Sequence, residues 1–173
     1  MSKIEDLISL INRSHGNLYI LCGLPYSGKT HLSRLVLQET DCEYVSVDNV
    51  LEKLGYDWNT NKLPDKDGWN RVMDIVREKI KGTLENGFNV LYDSTNHTRV
   101  SRDKLRELAD SVGAGIKVIY MEVGIRDVRK RWRENKKTKK RFVLDERLLN
   151  MTIKAMEPPG AEEDVIVISL DLN

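Results

Sequence analysis

The stretch Gly23-Leu24-Pro25-Tyr26-Ser27-Gly28-Lys29-Thr30 constrains this chain more than any other, because it fits the spacing G-x-x-x-x-G-K-[ST] of a phosphate-binding loop. Ahead of it, Leu18-Tyr19-Ile20-Leu21-Cys22 is a short apolar run with the pattern of a buried strand. Behind it, Leu32, Leu35 and Val36 recur at helical spacing, with Arg34, Gln38 and Glu39 left for a wet face. Strand, glycine-bracketed loop and helix is the context the motif requires. Gly23 and Gly28 allow backbone conformations and close approaches that a side chain would obstruct. The loop N–H groups and the helix N-terminus then face a phosphate. In that arrangement Lys29 reaches the β- and γ-phosphates of a nucleotide, and the Thr30 hydroxyl is placed to ligate Mg²⁺.

The rest of the chain extends the same architecture. Residues 2–13 put Ile4, Leu7, Ile8 and Ile11 on one face, an amphipathic helix on the outside of the domain. Strands are expected at Tyr44–Asp48, Phe88–Asp93, Ile116–Val123 and Val165–Ile168. Between them, Val72, Ile75, Val76, Ile80 and Leu84 mark a helix stopped at Asn86-Gly87, and further helices are expected at about Ser101–Ser111 and from Leu144 to Pro158. Alternation of this kind implies an α/β fold with a parallel sheet. At 173 residues with 40% hydrophobic and 32% charged composition, one domain over 1–173 is expected. Cys22 and Cys42 have no metal spacing and read as buried thiols of a reducing compartment. With no apolar run of membrane-spanning length and no signal-peptide segment, a cytoplasmic location is expected.

Two strands close on carboxylates, Asp48 and Asp93, where ligands gather in open α/β sheets. Asp93 is the expected second Mg²⁺-organising group. Asp48 is placed either to act on a substrate hydroxyl or to cap a helix beginning near Asn49. The polar, turn-rich segment 55–70 carries Tyr56, Trp58 and Trp69, a candidate substrate-facing stretch; His97, a lone loop histidine, is given no role. Segment 126–141 is the charge anomaly: ten basic residues against Asp127 and Glu134 give +8 in a chain of net +1, leaving −7 elsewhere. Ile125, Val128 and Trp132 give it an apolar stripe, so it reads as a docked basic lid. A nucleic-acid patch is the other reading of the same charge.

With those residues in place, the chain resembles the polynucleotide-kinase-like and zeta-toxin-like branch of the P-loop kinases, from roughly Leu18 to Val167. The marks are the octapeptide, Val45-Ser46-Val47-Asp48, Asn89-Val90-Leu91-Tyr92-Asp93-Ser94-Thr95-Asn96, the arginine-rich lid, and Met156-Glu157-Pro158-Pro159. The resemblance implies a three-layer P-loop NTPase fold, with a five-stranded parallel sheet ordered 2-3-1-4-5 and helices on both faces. It also implies ATP and Mg²⁺ as cofactors, with transfer of the γ-phosphate to a hydroxyl. Loop residues Gly23, Leu24, Pro25, Tyr26, Ser27, Gly28, Lys29 and Thr30 would hold the nucleotide, with Thr30 and Asp93 on the metal. Asp48 would activate the acceptor, Thr95 would line its site, and lid arginines Arg131 and Arg133, then Arg129, would bracket the γ-phosphate. The chain departs from polynucleotide kinases at Asp48, where Val47, Asn49, Val50 and Leu51 stand in place of a phosphate-contacting arginine. A small hydroxylated or nucleoside-like acceptor is therefore favoured over a nucleic-acid 5′-hydroxyl. A nucleotide-hydrolysing switch or interaction protein is the rival, although Asn135-Lys136-Lys137-Thr138 lacks the Asp of a guanine-reading Asn-Lys-x-Asp.

Overall fold

The computed structural model describes residues 3–169. Five parallel strands, β1 (Asn17–Cys22), β2 (Glu43–Ser46), β3 (Val90–Asp93), β4 (Gly115–Met121) and β5 (Val165–Ile168), form one sheet in the order β2-β3-β1-β4-β5. The expected order is the observed one. Among the described residues, seven α-helices accompany them: α1 (Lys3–Asn12), which precedes β1, then α2 (Lys29–Glu39), α3 (Val47–Lys53), α4 (Lys66–Glu85), α5 (Arg99–Ser111), α6 (Ile125–Thr138) and α7 (Glu146–Ala155).

Central strand β1 shows why the sheet needs cover on both faces. Leu18 through Cys22 are all completely buried, which suits the near-continuous apolar run of a two-sided parallel strand. Leu18, Ile20 and Cys22 pack with Val72, Val76, Ile80 and Leu84 of α4 and with Leu105 and Ala109 of α5. Tyr19 and Leu21 face the other way, against Leu7 and Ile11 of α1 and Leu32 and Val36 of α2. At about 1.5–3 kcal/mol for each large apolar side chain fully buried, these two layers are the main source of stability. A third cluster, Leu24, Tyr26, Val128, Trp132 and Leu149, fastens α6 and α7 onto the phosphate loop. The basic segment is thereby docked through Val128 and Trp132 of its expected stripe, whereas Ile125, at the first turn of α6, is 50% exposed. Among the described residues, no helix is long and apolar enough to cross a membrane.

β4 stops at Met121, two residues short of the expected Val123, and the expected bounds of β2 and β3 differ as well. β2 stops at Ser46 because the Ser46 side chain accepts a hydrogen bond from the Asn49 amide at 3.1 Å and starts α3 at Val47. Asp48 is therefore in the first turn of α3, beyond the strand, and the cap is Ser46. β3 begins at Val90, since Gly87 (φ 80°) turns the chain and the Phe88 amide still bonds back to Thr83 O of α4. Phe88 is left 61% exposed.

Candidate active site

The phosphate loop joins the buried end of β1 to the start of α2. Gly23, at φ 155°, donates its amide to Thr95 O at 3.1 Å. A Cβ on Gly23 would stand 3.0 Å from both Ser27 Oγ and Met121 Cβ, so the loop closes on itself at a point where a side chain does not fit. Gly28 (φ 104°) is the N-cap of α2 and supplies no side-chain acceptor. The first amides of α2 are then left to an anion. Ser27 is completely buried, and its hydroxyl has no hydrogen-bond partner among the described residues. Lys29 folds back so that Nζ donates to Gly23 O and Leu24 O, both at 2.9 Å. Although the residue as a whole is half-buried, its ammonium is enclosed by the loop, and burial pulls its pKa down to about 8, opposed by the Asp93 carboxylate. An orphaned hydroxyl, an uncapped helix start and an ammonium held over carbonyls fit a polyphosphate.

Asp93 lies at the end of β3, paired in register with Ser46 of β2. Its Oδ2 accepts from the Tyr44 hydroxyl at 2.8 Å and from Ser33 Oγ at 3.3 Å. Burial pushes the Asp93 pKa up, while Tyr44, Lys29 and Ser33 pull against it. Among the described residues no donor reaches its Oδ1. The Thr30 side chain, one position after Lys29, is exposed. Among the described residues, no group of three or more His, Cys, Asp and Glu could hold a metal ion. One carboxylate and one hydroxyl suit Mg²⁺, which is commonly held by one or two carboxylates together with substrate phosphates and water.

Asp48 is exposed and accepts from Trp58 Nε1 at 3.1 Å. Trp58 belongs to the turn 55–65, closed by a bridge between Asp57 and Lys62. Thr95 gives its carbonyl to Gly23, and its hydroxyl pairs with His97 Nδ1 at 3.2 Å. The structure thus gathers Lys29, Asp93, Thr95 and Asp48 at the carboxyl end of the sheet.

The lid arginines divide by position. Arg131 Nη1 donates to Tyr26 O at 3.1 Å and Ser27 O at 3.4 Å, so it bonds the loop directly. Arg133 is exposed, and its Nε reaches Arg129 O on its own helix at 3.3 Å; Arg129 is half-buried. Several groups here had no individual site role expected from the sequence. Arg141 lies over the Tyr26 ring, 4.3 Å from its centroid, and Leu144 N donates to the Tyr26 hydroxyl at 3.2 Å. Asn135 holds the backbone of Arg141 and Phe142 with its side-chain amide. Tyr44 and Ser33 are the other omissions, and their only signal was proximity in sequence to Asp48 and Lys29.

A five-stranded parallel sheet in this order, with a glycine loop between the central strand and its helix, is the P-loop kinase fold of the NTPase superfamily. The chain belongs to the AAA domain family, whose sequence model matches residues 18–159. Among solved structures, it is similar to a gluconokinase from Sinorhizobium meliloti 1021 (16% identity, 91% of this chain and 85% of that one, TM-score 0.66). It is also similar to the Pnkp1/Rnl/Hen1 RNA repair complex (20% identity, TM-score 0.70), where the match takes in 82% of this chain but 44% of that one. A third is the Mycobacterium tuberculosis APS kinase CysC in complex with AMPPNP and APS (15% identity, 92% and 91% of the two chains, TM-score 0.62). At these identities the likeness is one of fold.

Proposed function

We propose that this chain is an ATP- and Mg²⁺-dependent phosphotransferase that moves the γ-phosphate to a hydroxyl of a small or nucleoside-like acceptor. One observation carries the reading: two carboxylates flank the phosphate loop in unlike settings, Asp93 enclosed by Tyr44 and Ser33, Asp48 open to solvent. A nucleotide hydrolase needs the first; the second, exposed and oriented, is what an acceptor hydroxyl requires. That one structural neighbour is a kinase bound to AMPPNP supports a nucleotide at the loop of this chain too.

In this reading loop residues 23–30 hold the β- and γ-phosphates, with Lys29 as the point charge. Thr30 and Asp93 would hold Mg²⁺, which would supply charge neutralisation to the phosphates. Asp48 accepts the proton of the acceptor hydroxyl as its oxygen bonds the γ-phosphorus and the bond from that phosphorus to ADP breaks. Arg131, with Arg129 and Arg133 on the same helix, answers the charge that builds on the transferring group. Thr95 lines the acceptor side.

The experiment is transfer from γ-labelled ATP to D-gluconate, a nucleoside panel, and 5′-hydroxyl DNA and RNA oligonucleotides at matched salt. Labelled small molecule is the expected product. Efficient oligonucleotide labelling makes the chain a polynucleotide kinase, and release of phosphate alone, with no acceptor labelled, overturns the transferase reading.

A further inference from the structure

Trp58 stands between the acceptor side and the nucleotide side of the candidate site. Its indole N–H donates to Asp48 Oδ1 at 3.1 Å. Its ring meets Trp69, near the start of α4, with centroids 6.0 Å apart, and Phe142 at 5.7 Å. Phe142 directly follows Arg141, whose guanidinium lies on the Tyr26 ring of the phosphate loop. Contacts therefore run from the loop through residues 141–142 to Trp58 and Asp48.

An exposed aspartate on the first turn of a seven-residue helix has rotamers to choose from. A donor fixed between two other rings removes that choice, occupying Oδ1 and leaving Oδ2 for a proton from the acceptor. Resting on the reading of Asp48 as the acceptor-side base, we propose that Trp58 is its positioning residue. Phe142 links that orientation to the state of the phosphate loop. A nucleotide on the loop and the alignment of the Asp48 carboxylate are then coupled through one aromatic contact.

The test uses the indole N–H resonances of the three tryptophans, Trp58, Trp69 and Trp132, in the ¹⁵N-labelled protein. The Trp58 peak is assigned by its loss in Trp58→Phe. Asp48→Asn is expected to shift it, and so is AMP-PNP with Mg²⁺ in the wild type, whereas in Phe142→Ala the nucleotide no longer moves it. Trp132, whose Nε1 donates to Leu144 O at 2.8 Å, is expected to respond to nucleotide in both proteins, which shows that Phe142→Ala still folds and binds. A Trp58 peak indifferent to Asp48→Asn overturns the positioning, and one that answers nucleotide equally in Phe142→Ala overturns the coupling. Silence of both peaks means the loop takes no nucleotide, and then the transferase reading falls together with the coupling. On the acceptor labelled in the transfer panel, Trp58→Phe is expected to lower kcat about 10- to 100-fold, the span of one hydrogen bond to a charged group, with the KM for ATP unchanged. In an Asp48→Asn background the same change is expected to add nothing; a fully additive loss overturns the proposal.

Discussion

Lys29 is the residue whose protonation the fold has altered most usefully. Its ordinary pKa of 10.5 is brought to about 8 by burial against the loop. At pH 9 the free protein therefore holds it mostly neutral. A triphosphate beside Nζ favours the ammonium, so MgATP binding at pH 9 is expected to take up close to one proton, falling towards none near pH 6.5. Titration calorimetry in buffers of different ionisation enthalpy reads that uptake, and Lys29→Ala should abolish it; uptake that persists in the variant assigns the proton elsewhere. The two carboxylates are separable in the same way. Asp48→Asn is expected to leave ATP affinity intact and to lower kcat roughly 10²–10⁴-fold, the usual span for a general base. Asp93→Asn should weaken Mg²⁺-dependent binding and turnover together, because its one donor-free oxygen is the one left to the metal. Turnover of Asp48→Asn at the wild-type rate would remove Asp48 from the chemistry.

Elements were legible in sequence where one apolar pattern decided them. β1 and β5 match their expected apolar runs, apart from Asn17 at the start of β1, and α4 stops at Asn86-Gly87 because an αL glycine ends it. The misplaced end of β2 has a local cause: Val47 continues the apolar run, but a serine side chain that bonds the amide three residues on begins a helix whatever follows it. What the sequence could not show is pairing across long separations. Leu144 reaches Tyr26 from 118 positions away, and Arg102 of α5 meets Glu163 from 61. That second pair is fully buried and two-pronged, at 2.7 and 3.0 Å, and Arg102 also donates to Asn96 O behind the phosphate loop at 3.0 Å. It clamps the segment that follows α7 onto α5 and the turn after β3, beside the end of β1. Glu163→Leu strands the guanidinium and is expected to cost about 3–5 kcal/mol in urea unfolding, and adding Arg102→Met should restore much of it. Burial raises the Glu163 pKa, but Arg102, the Gly160 amide and Arg99 together outweigh it and the net shift is downward. The contribution of Glu163 is thus complete above its ordinary value of 4.5 and is lost as pH falls through the lower folded value. Wild type should show that acid loss, and Glu163→Leu should lack it.

The whole molecule divides its charge unevenly, and that division bears on the acceptor. Segment 126–141 holds +8 while the remainder carries −7, and two of its arginines are already engaged at the phosphate loop, Arg131 on Tyr26 O and Arg141 on the Tyr26 ring. A polynucleotide would have to gather several phosphates along a surface whose net charge outside this segment is negative. Each phosphate contact to a single strand weakens binding as salt rises, with a slope of about −0.7, or roughly 2.6-fold per contact between 50 and 200 mM. Five contacts would cost roughly 10²-fold over that range. A small acceptor with one or two charges instead loses about 2- to 7-fold by the same slope. The acceptor KM is therefore expected to rise less than about tenfold between 50 and 200 mM salt, with ATP held saturating at each concentration. Neutralising exposed lid lysines, Lys136→Gln and Lys137→Gln, should leave that modest slope almost unchanged, since a small acceptor seated at Asp48 does not reach them. A rise near 10²-fold that flattens in the double variant would instead trace a nucleic-acid backbone across α6, and with it a polynucleotide acceptor.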